Sequence, residues 1–395
     1  MRGLILLVFA WPLMVQAVEA ELSGFIGAEM RGFLYHEQFD GQFKGLQFSS
    51  IIQPELEAEY NNGRDQYRLI LFVRLDSQDD RRTHSDLREA YWRHIADEWE
   101  LLVGFSRVFW GVTESRHLVD IINQTDFVEG IDNEDKLGQP MFNLATQRVW
   151  GSFNVYVMPW FRERTFPGKR GRLRFPLVVD GDVEFESGAG QHHVDVAVRY
   201  DHYVAEWDLG LYCFRGTGRE PRLVPNSQGT RLITHYDQIN QVGTDIQYTT
   251  EAWLWKFEGL VREGQGDTFA ATVAGFEYTL YQIGGTFADL GLLAEYLYDG
   301  RDSDPAVAPP TPFDDDYFLG ARLALNDTQD TNVLLGVIVD RDDHSRFFSI
   351  EAERRLGVSW TIEIEGRWFS NIGTESDLAA LTKDSFVGIR LSHHF

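Results

Sequence analysis

Charged side chains recur at two-residue spacing along much of this 395-residue sequence. Glu55, Glu57 and Glu59 form one such row, and Glu363, Glu365 and Arg367 form another. Side chains two residues apart lie on the same face of an extended strand, so these groups form rows rather than a catalytic cluster. Ladders of ion pairs between neighbouring strands account for most such rows. The functional alternative is a transverse electric field that orients polar solutes, or a site for anionic sugars.

Enzymatic chemistry finds little support in the sequence. Ser115 and His117 are near neighbours, but nothing beside them would orient the base. The sequence contains no GxSxG, HExxH or phosphate-loop motif. The adjacent histidine pairs at 192–193 and 393–394 point to opposite strand faces, which does not suit a two-histidine metal site. We therefore expect no enzyme, no metal and no cofactor.

Composition narrows the class of protein further. The formal net charge of -25 excludes binding to nucleic acid on electrostatic grounds. Cys213 is the only cysteine in the sequence, so no internal disulfide is possible. Aromatic residues make up 14% of the chain, and many of them lie near the ends of alternating segments.

The elements that would carry the charged rows are strands. The segments GFIGAEMRGFLY (24–35), QYRLILFVRLD (66–76) and SWTIEIEGRW (359–368) all alternate between apolar and charged residues. Alternation of this kind predicts one apolar face and one charged face. The simplest arrangement is a transmembrane antiparallel up-and-down β-barrel, with lipid outside and a charged lumen inside.

The first 20 residues have the pattern of a secretory signal peptide. Arg2 precedes an apolar run from Leu4 to about Val15, and small residues follow up to Ala20. This run is shorter than the roughly 20 residues that a spanning helix needs. We expect residues 21–395 to form the exported barrel, located in the outer membrane of a Gram-negative bacterium.

Short and long connections alternate along the chain, as they do in bacterial outer-membrane barrels. The alternation gives 17 clear strands, and an even number is required if both termini lie on one side of the membrane. One more strand at KRGRLRFPLVV (169–179) would give 18, which we favour; removing one strand would give 16.

Among the long connections, segment 111–146 has the most features that suggest a function. It is polar but contains the apolar stretch LVDII (118–122). Long loops in compact folds are usually functional, and the sequence leaves open whether this one folds into the lumen or lies outside. If it folds inward, the candidate pore-lining and constriction residues are Arg107, Glu114, Arg116, Asp120, Asp126 and Arg148.

Acidic connections raise the question of calcium. FDDDY (313–317) and DRDDHS (340–345) are rich in aspartate, but their spacing matches no EF-hand loop. We expect solvated loops, bridged loosely by divalent ions to lipopolysaccharide.

Two stretches resemble the DUF1302 type of porin-like outer-membrane proteins. LREAYWRHIADEWELLVGFSRVFWG (87–111) with LVDIINQTD (118–126) resembles the paired strands and following loop of that family, and VMPWFRERTFPG (157–168) resembles its next segment. Gln124 and Thr125 stand where the family tends to have proline. The end of the chain, SFVGIRLSHHF (385–395), resembles a closing strand, and the resemblance implies that Phe395 is recognised by the barrel-insertion machinery.

These observations predict a porin-like channel for passive diffusion of small polar solutes. The alternatives are an exporter of an anionic polysaccharide and a structural or assembly barrel that conducts nothing. The expected partners are membrane lipids, lipopolysaccharide and the insertion machinery. The identity of the solute, the ion preference and the oligomeric state stay open.

Overall fold

Alternating side chains produce strands along most of the chain. The computed structural model describes residues 19–374 and 376–395. The strands of this part are β1 (Glu19–Phe33), β2 (Leu46–Tyr60), β3 (Asp65–Asp76), β4 (His84–Ile95), β5 (Glu100–Ser106), β6 (Gln139–Arg148), β7 (Gly151–Met158), β8 (Glu184–Phe185), β9 (Asp195–Val204), β10 (Trp207–Thr217), β11 (Arg222–Pro225), β12 (Leu232–Tyr236), β13 (Gln238–Thr249), β14 (Trp253–Glu263), β15 (Phe269–Leu280), β16 (Asp289–Asp299), β17 (Asp315–Ala324), β18 (Asn332–Asp340), β19 (Arg346–Leu356), β20 (Trp360–Ser370) and β21 (Phe386–His394).

Eighteen of these strands form one closed antiparallel barrel. Each barrel strand pairs with the next barrel strand along the chain, and β1 pairs with β21 from Phe25 opposite His394 to Phe33 opposite Phe386. The remaining three, β8, β11 and β12, form a small separate sheet. The predicted all-β barrel of 18 strands is confirmed. Among the described residues, helical structure is limited to three short 3-10 turns, at Gly190–His192, Ile283–Gly285 and Asp377–Leu381. No helix in this part of the chain is long and apolar enough to cross a bilayer.

The extra strand predicted at 169–179 is wrong. This segment lies in the connection between β7 and β9, and Leu173 has a left-handed φ of 54° that a strand would not contain. The strand missing from the sequence count is β6, which occupies the last part of the predicted loop 111–146. The real connection between β5 and β6 is therefore 107–138. The inward-facing Met141 of β6 is apolar and buried, so the contrast between the two faces of this strand is weak.

The two faces of the barrel wall differ as the alternation predicts. Leu71 and Ile364 point outward and are 39% and 37% exposed, whereas the adjacent Ile70 and Glu363 point inward. The single cysteine, Cys213, is exposed on the outer face. Aromatic side chains surround the end with short turns, including exposed Trp99, Trp150, Trp207, Trp253 and Trp360.

Trp110 does not belong to these interfacial aromatics. It is buried inside the barrel, because the chain turns inward after β5. The predicted signal peptide lies almost entirely outside the described residues; only Glu19 and Ala20 of it are described, in β1. Cleavage after Ala20 therefore stays a prediction.

Candidate functional site

Residues 107–138, which we call the inner loop, pack their apolar side chains on the inner face of the barrel. Val119, Ile121 and Ile122 lie with Trp110 in a buried cluster, whose other members come from strands β6, β7, β9, β10 and β13. Leu118 packs into a second cluster built from β14 to β18. The LVDII stretch therefore covers wall residues that would be exposed to water if the loop did not fill this part of the lumen.

Two wall carboxylates hold the backbone of the inner loop. Glu258 of β14 accepts hydrogen bonds from the Thr113 N–H at 2.9 Å, the Thr113 hydroxyl at 2.7 Å and the Val119 N–H at 3.1 Å. Glu295 of β16 accepts from the N–H groups of Glu114 and Ser115, both at 2.8 Å. Carboxylates that accept several N–H donors fix a loop firmly, because each bond is charge-assisted.

The far end of the inner loop is held by arginines on other strands. Arg74 of β3 pairs with Glu129 at 2.5 Å, and Arg88 of β4 pairs with Asp126 at 2.7 Å. On β20, Arg367 pairs with Asp132 at 2.8 Å. Because β3 and β4 lie almost opposite β14 and β16 in the 18-strand ring, the inner loop crosses the interior of the barrel.

Four of the predicted residues form ion pairs with wall residues: Asp126 with Arg88, as described above, and Glu114, Arg116 and Arg107. Glu114 lies 2.5 Å from Arg322 and 3.7 Å from Lys256, next to a cavity. Arg116 pairs with Asp299 at 3.2 Å.

Arg107 has its Nε 3.4 Å from the Oε1 atom of Glu89 on β4. Its side chain is 37% exposed.

Asp120 and Asp126 do not face open space. The Asp120 side chain is fully buried and lies 3.2 Å from Lys136, within the loop itself. Burial raises the pKa of Asp120, although the charge of Lys136 acts in the opposite direction. Burial would also raise the pKa of Asp126, but the hydrogen bond from His84 and the charge of Arg88 outweigh it and lower the pKa to about 2.

Arg148, one of the predicted constriction residues, is not beside the inner loop. It ends β6 at the short-turn end of the barrel, on the same outward parity as Phe142 and Leu144, and pairs with Glu98 at 2.9 Å. The reason is again that residues 139–148 form a full strand, which carries Arg148 away from the loop.

A cavity of about 490 Å³ lies between the inner loop and the wall strands β17 to β21, β1 and β3. Its lining contains 10 carboxyl groups and 5 guanidinium groups. Burial and the charge of Glu129 raise the pKa of Asp135 to about 7, so this group is only partly ionised at neutral pH, but the lining as a whole keeps a net negative charge. The carboxyl groups are those of Glu29, Glu114, Glu129, Asp132, Glu134, Asp135, Glu351, Glu353, Glu363 and Glu365, and the guanidinium groups are those of Arg31, Arg74, Arg322, Arg367 and Arg390.

Sequence reasoning missed the contribution of the other long connections. Thr165, in the connection between β7 and β9, donates a hydrogen bond to Asp126 at 2.6 Å and so joins that connection to the inner loop. Arg172 pairs with Asp384 at 2.6 Å and is buried. Arg174, from the same basic run at 162–174, is also buried among the packed connections.

A second charged group, Glu220, joins further parts of the chain, and its side chain is 27% exposed. Glu220 lies 3.0 Å from Arg301 and 3.1 Å from Arg262, and these charges outweigh burial and lower its pKa well below the ordinary range. The partners are distant in sequence, so no local signal in the sequence reveals the pairing.

His84, Asp126 and Glu129 place three possible metal-ligand atoms within 4.8 Å of one another. Arg88 and Arg74 already pair with these carboxylates, so their charges are compensated without an ion. This arrangement is an anchor for the inner loop rather than a metal centre.

Phe395 follows β21 and donates its backbone N–H to the Gly24 carbonyl at 3.1 Å. Its side chain is 50% exposed. The contact extends the pairing of β21 with β1 by one residue.

Comparison with known proteins gives structural neighbours only. Neither a family model nor a curated protein matches the sequence. The solved structure of Wzi, an outer-membrane protein involved in group 1 capsule assembly in Escherichia coli and a carbohydrate-binding β-barrel, aligns with a TM-score of 0.53 at 10% identity, over 94% of this chain and 84% of Wzi. A triple mutant of the Rh. blastica porin aligns with a TM-score of 0.45 at 12% identity, over 95% of this chain and 100% of the porin. The protein and Wzi share their barrel fold.

Proposed function

We propose that this protein is an outer-membrane channel for small polar solutes, narrowed by the inner loop. The observation that carries the proposal is that the inner loop crosses the lumen and is held on both sides, by Glu258 and Glu295 and by Arg74 and Arg88, beside a polar cavity. A loop fixed in this way sets the width of the passage that remains.

The charge of the cavity favours cations and neutral polar solutes over anions. Its lining has five more carboxyl groups than guanidinium groups and keeps a net negative charge. Charges that face a narrow space are screened less than charges in open solution, so this excess acts on passing ions.

Location in the outer membrane is part of the proposal. The signal-peptide pattern of residues 1–20, the resemblance of residues 86–168 to the DUF1302 type and the position of Phe395 at the end of β21 support it. Membrane lipids, lipopolysaccharide and the insertion machinery are the partners that this location implies.

The second candidate is a carbohydrate-handling barrel that does not conduct. Two observations favour it: the fold shared with Wzi, which is described as carbohydrate-binding, and the packing of the long connections over one another through Thr165 and Arg172. An anionic polysaccharide would be repelled by the acidic cavity, so a neutral or cationic glycan fits this candidate better.

Conductance in planar bilayers tests the proposal. We expect the wild-type protein to conduct with cation preference, and a variant with residues 114–136 replaced by a glycine–serine linker to conduct more and select less. Shortening the exposed β11–β12 turn (226–230) is the control and leaves both values unchanged. Glu353→Gln removes an exposed charge of the cavity lining and shifts the reversal potential toward anions.

One result would contradict conduction, and another would contradict the role of the inner loop. A folded wild-type barrel that does not conduct, but retains glycans on an affinity matrix, supports the second candidate. A linker variant that folds and conducts as the wild type does means that the inner loop is not the constriction.

A further inference from the structure

Two acidic segments that are separate in sequence meet at the end of the barrel that carries the long connections. Asp316, in β17, lies directly opposite Asp340 in β18, and Asp314 immediately precedes β17. One carboxylate oxygen from each of the three lies within 4.8 Å of the other two. Like charges placed directly opposite on neighbouring strands destabilise a sheet unless something compensates them.

Asp316 is the residue that points to a missing partner. It is 1% exposed, and its Oδ2 atom has no hydrogen-bond partner. Leaving a buried carboxylate unpaired is expensive, and most buried charges in proteins are paired or bind a metal. Other buried carboxylates have partners: Asp126 and Asp384 pair with arginine, and Glu258 accepts N–H groups.

No arginine or lysine reaches this cluster within the described residues. The basic side chain next to it, Arg341, pairs with Asp315 at 2.8 Å instead, and Asp315 is not part of the cluster. Asp340 is held in place, because its Oδ1 accepts the N–H groups of Asp342 at 2.8 Å and Asp343 at 2.7 Å. Burial raises the pKa of Asp314, and the negative charge of Asp340 adds to this effect.

We propose that Asp314, Asp316 and Asp340 bind a divalent cation of the calcium type. Ca²⁺ takes oxygen ligands in flexible geometry and completes its shell with water and carbonyl groups, whereas Mg²⁺ demands a stricter octahedron. The ion neutralises the opposed charges of β17 and β18. It also pins the connection between β16 and β17 to the end of the β17–β18 pair. The site differs from an EF-hand, because its ligands come from two strands and the connection before them rather than from one loop.

Calcium titration of the refolded full-length protein in detergent tests this site. We expect saturable binding by isothermal calorimetry, with a dissociation constant of roughly 10⁻⁴–10⁻³ M, the range of extracellular calcium modules. Tb³⁺ added in place of Ca²⁺ should become luminescent by transfer from nearby Tyr317. Asp316→Asn and Asp340→Asn should each weaken binding by about tenfold or more, because each removes a charged ligand. Asp267→Asn changes an exposed aspartate of another connection at the same end and should bind as the wild type does.

Thermal unfolding gives a readout that separates a bound ion from loosely attracted ions. Calcium should raise the unfolding temperature of the wild type and of the Asp267→Asn control, but not that of Asp316→Asn. When calcium is absent, Asp316→Asn should be at least as stable as the wild type. The site is refuted if the wild type shows no saturable binding up to about 10 mM calcium, well above that range. It is also refuted if Asp316→Asn, folded as judged by heat-modifiability, binds and responds as the wild type does.

Discussion

Asp126 joins three parts of the molecule at a single carboxylate. It belongs to the inner loop, pairs with Arg88 of β4 and accepts a hydrogen bond from Thr165 in the connection between β7 and β9. Breaking one member of a buried ion pair usually costs more than the pair contributes, because the other charge is left without a partner.

Asp126→Asn should therefore destabilise the protein by about 3–5 kcal/mol. The lowered pKa makes pH the diagnostic variable. Asp126 titrates near 2 when folded and at about 3.9 when unfolded, so its stabilisation is complete above about 4 and is lost as the pH falls toward 2. Unfolding temperatures measured from pH 6 to pH 2 should fall more steeply for the wild type than for the variant.

The double variant Arg88→Met with Asp126→Leu is the control for this loss. It removes both charges, and we expect it to recover much of the stability. Parallel pH profiles for wild type and Asp126→Asn would show that the ion pair does not carry the stabilisation.

At the scale of elements, the strand faces give a direct test of which side meets lipid. Ile364 lies near the middle of β20 and is exposed on the outer face. Ile364→Arg should lower the free energy of unfolding in lipid by about 2–4 kcal/mol. Glu353→Arg is the matched control, since Ala352 lies opposite Ile364 and Glu353 points inward at nearly the same depth. Urea unfolding in vesicles measures both, and equal losses would mean that the outer face does not meet lipid. Ile70 is unsuitable as an inward control because it is 1% exposed.

The same elements explain what the sequence predicts well and poorly. β3 and β20 were recognisable because their inward residues, such as Arg68 and Glu365, are charged. β6 was not, because none of its inward residues is charged and one of them, Met141, is apolar and packs against the inner loop. The loop that fills the lumen thus hides the alternation of the strand that follows it.

The candidate site was predictable in part. The length and apolar stretch of the loop indicated a functional segment but left open whether it packs on the inner wall. Glu114 and Arg116 do meet wall residues. The wall residues with which Glu114 and Arg116 pair could not be predicted from the sequence. Arg116 and Asp299 are separated by 183 positions, and only the closed ring brings them together.

For the whole molecule, the junction of β21 with β1 tests the insertion signal. Deleting Phe395 removes an exposed aromatic ring and the hydrogen bond to Gly24, and should lower the amount of heat-modifiable folded protein in outer-membrane fractions. Val358→Ala, at a fully exposed turn residue, is the control for loss of apolar surface. Unchanged folding and location without Phe395 would argue against its role.

The ring of strands also constrains the order of folding. Every neighbouring pair except one joins barrel strands between which no other barrel strand lies in the sequence, and the exception brings Phe25 to His394. Closing that contact from a random chain would cost about 3 kcal/mol more entropy than closing a ten-residue hairpin. We therefore expect pairs of barrel strands that are close in sequence to form first and to curve the growing sheet. The β1–β21 pair then forms last. Until then, every intermediate carries two unpaired edges, so the rate of that final step decides how long the chain is exposed to aggregation.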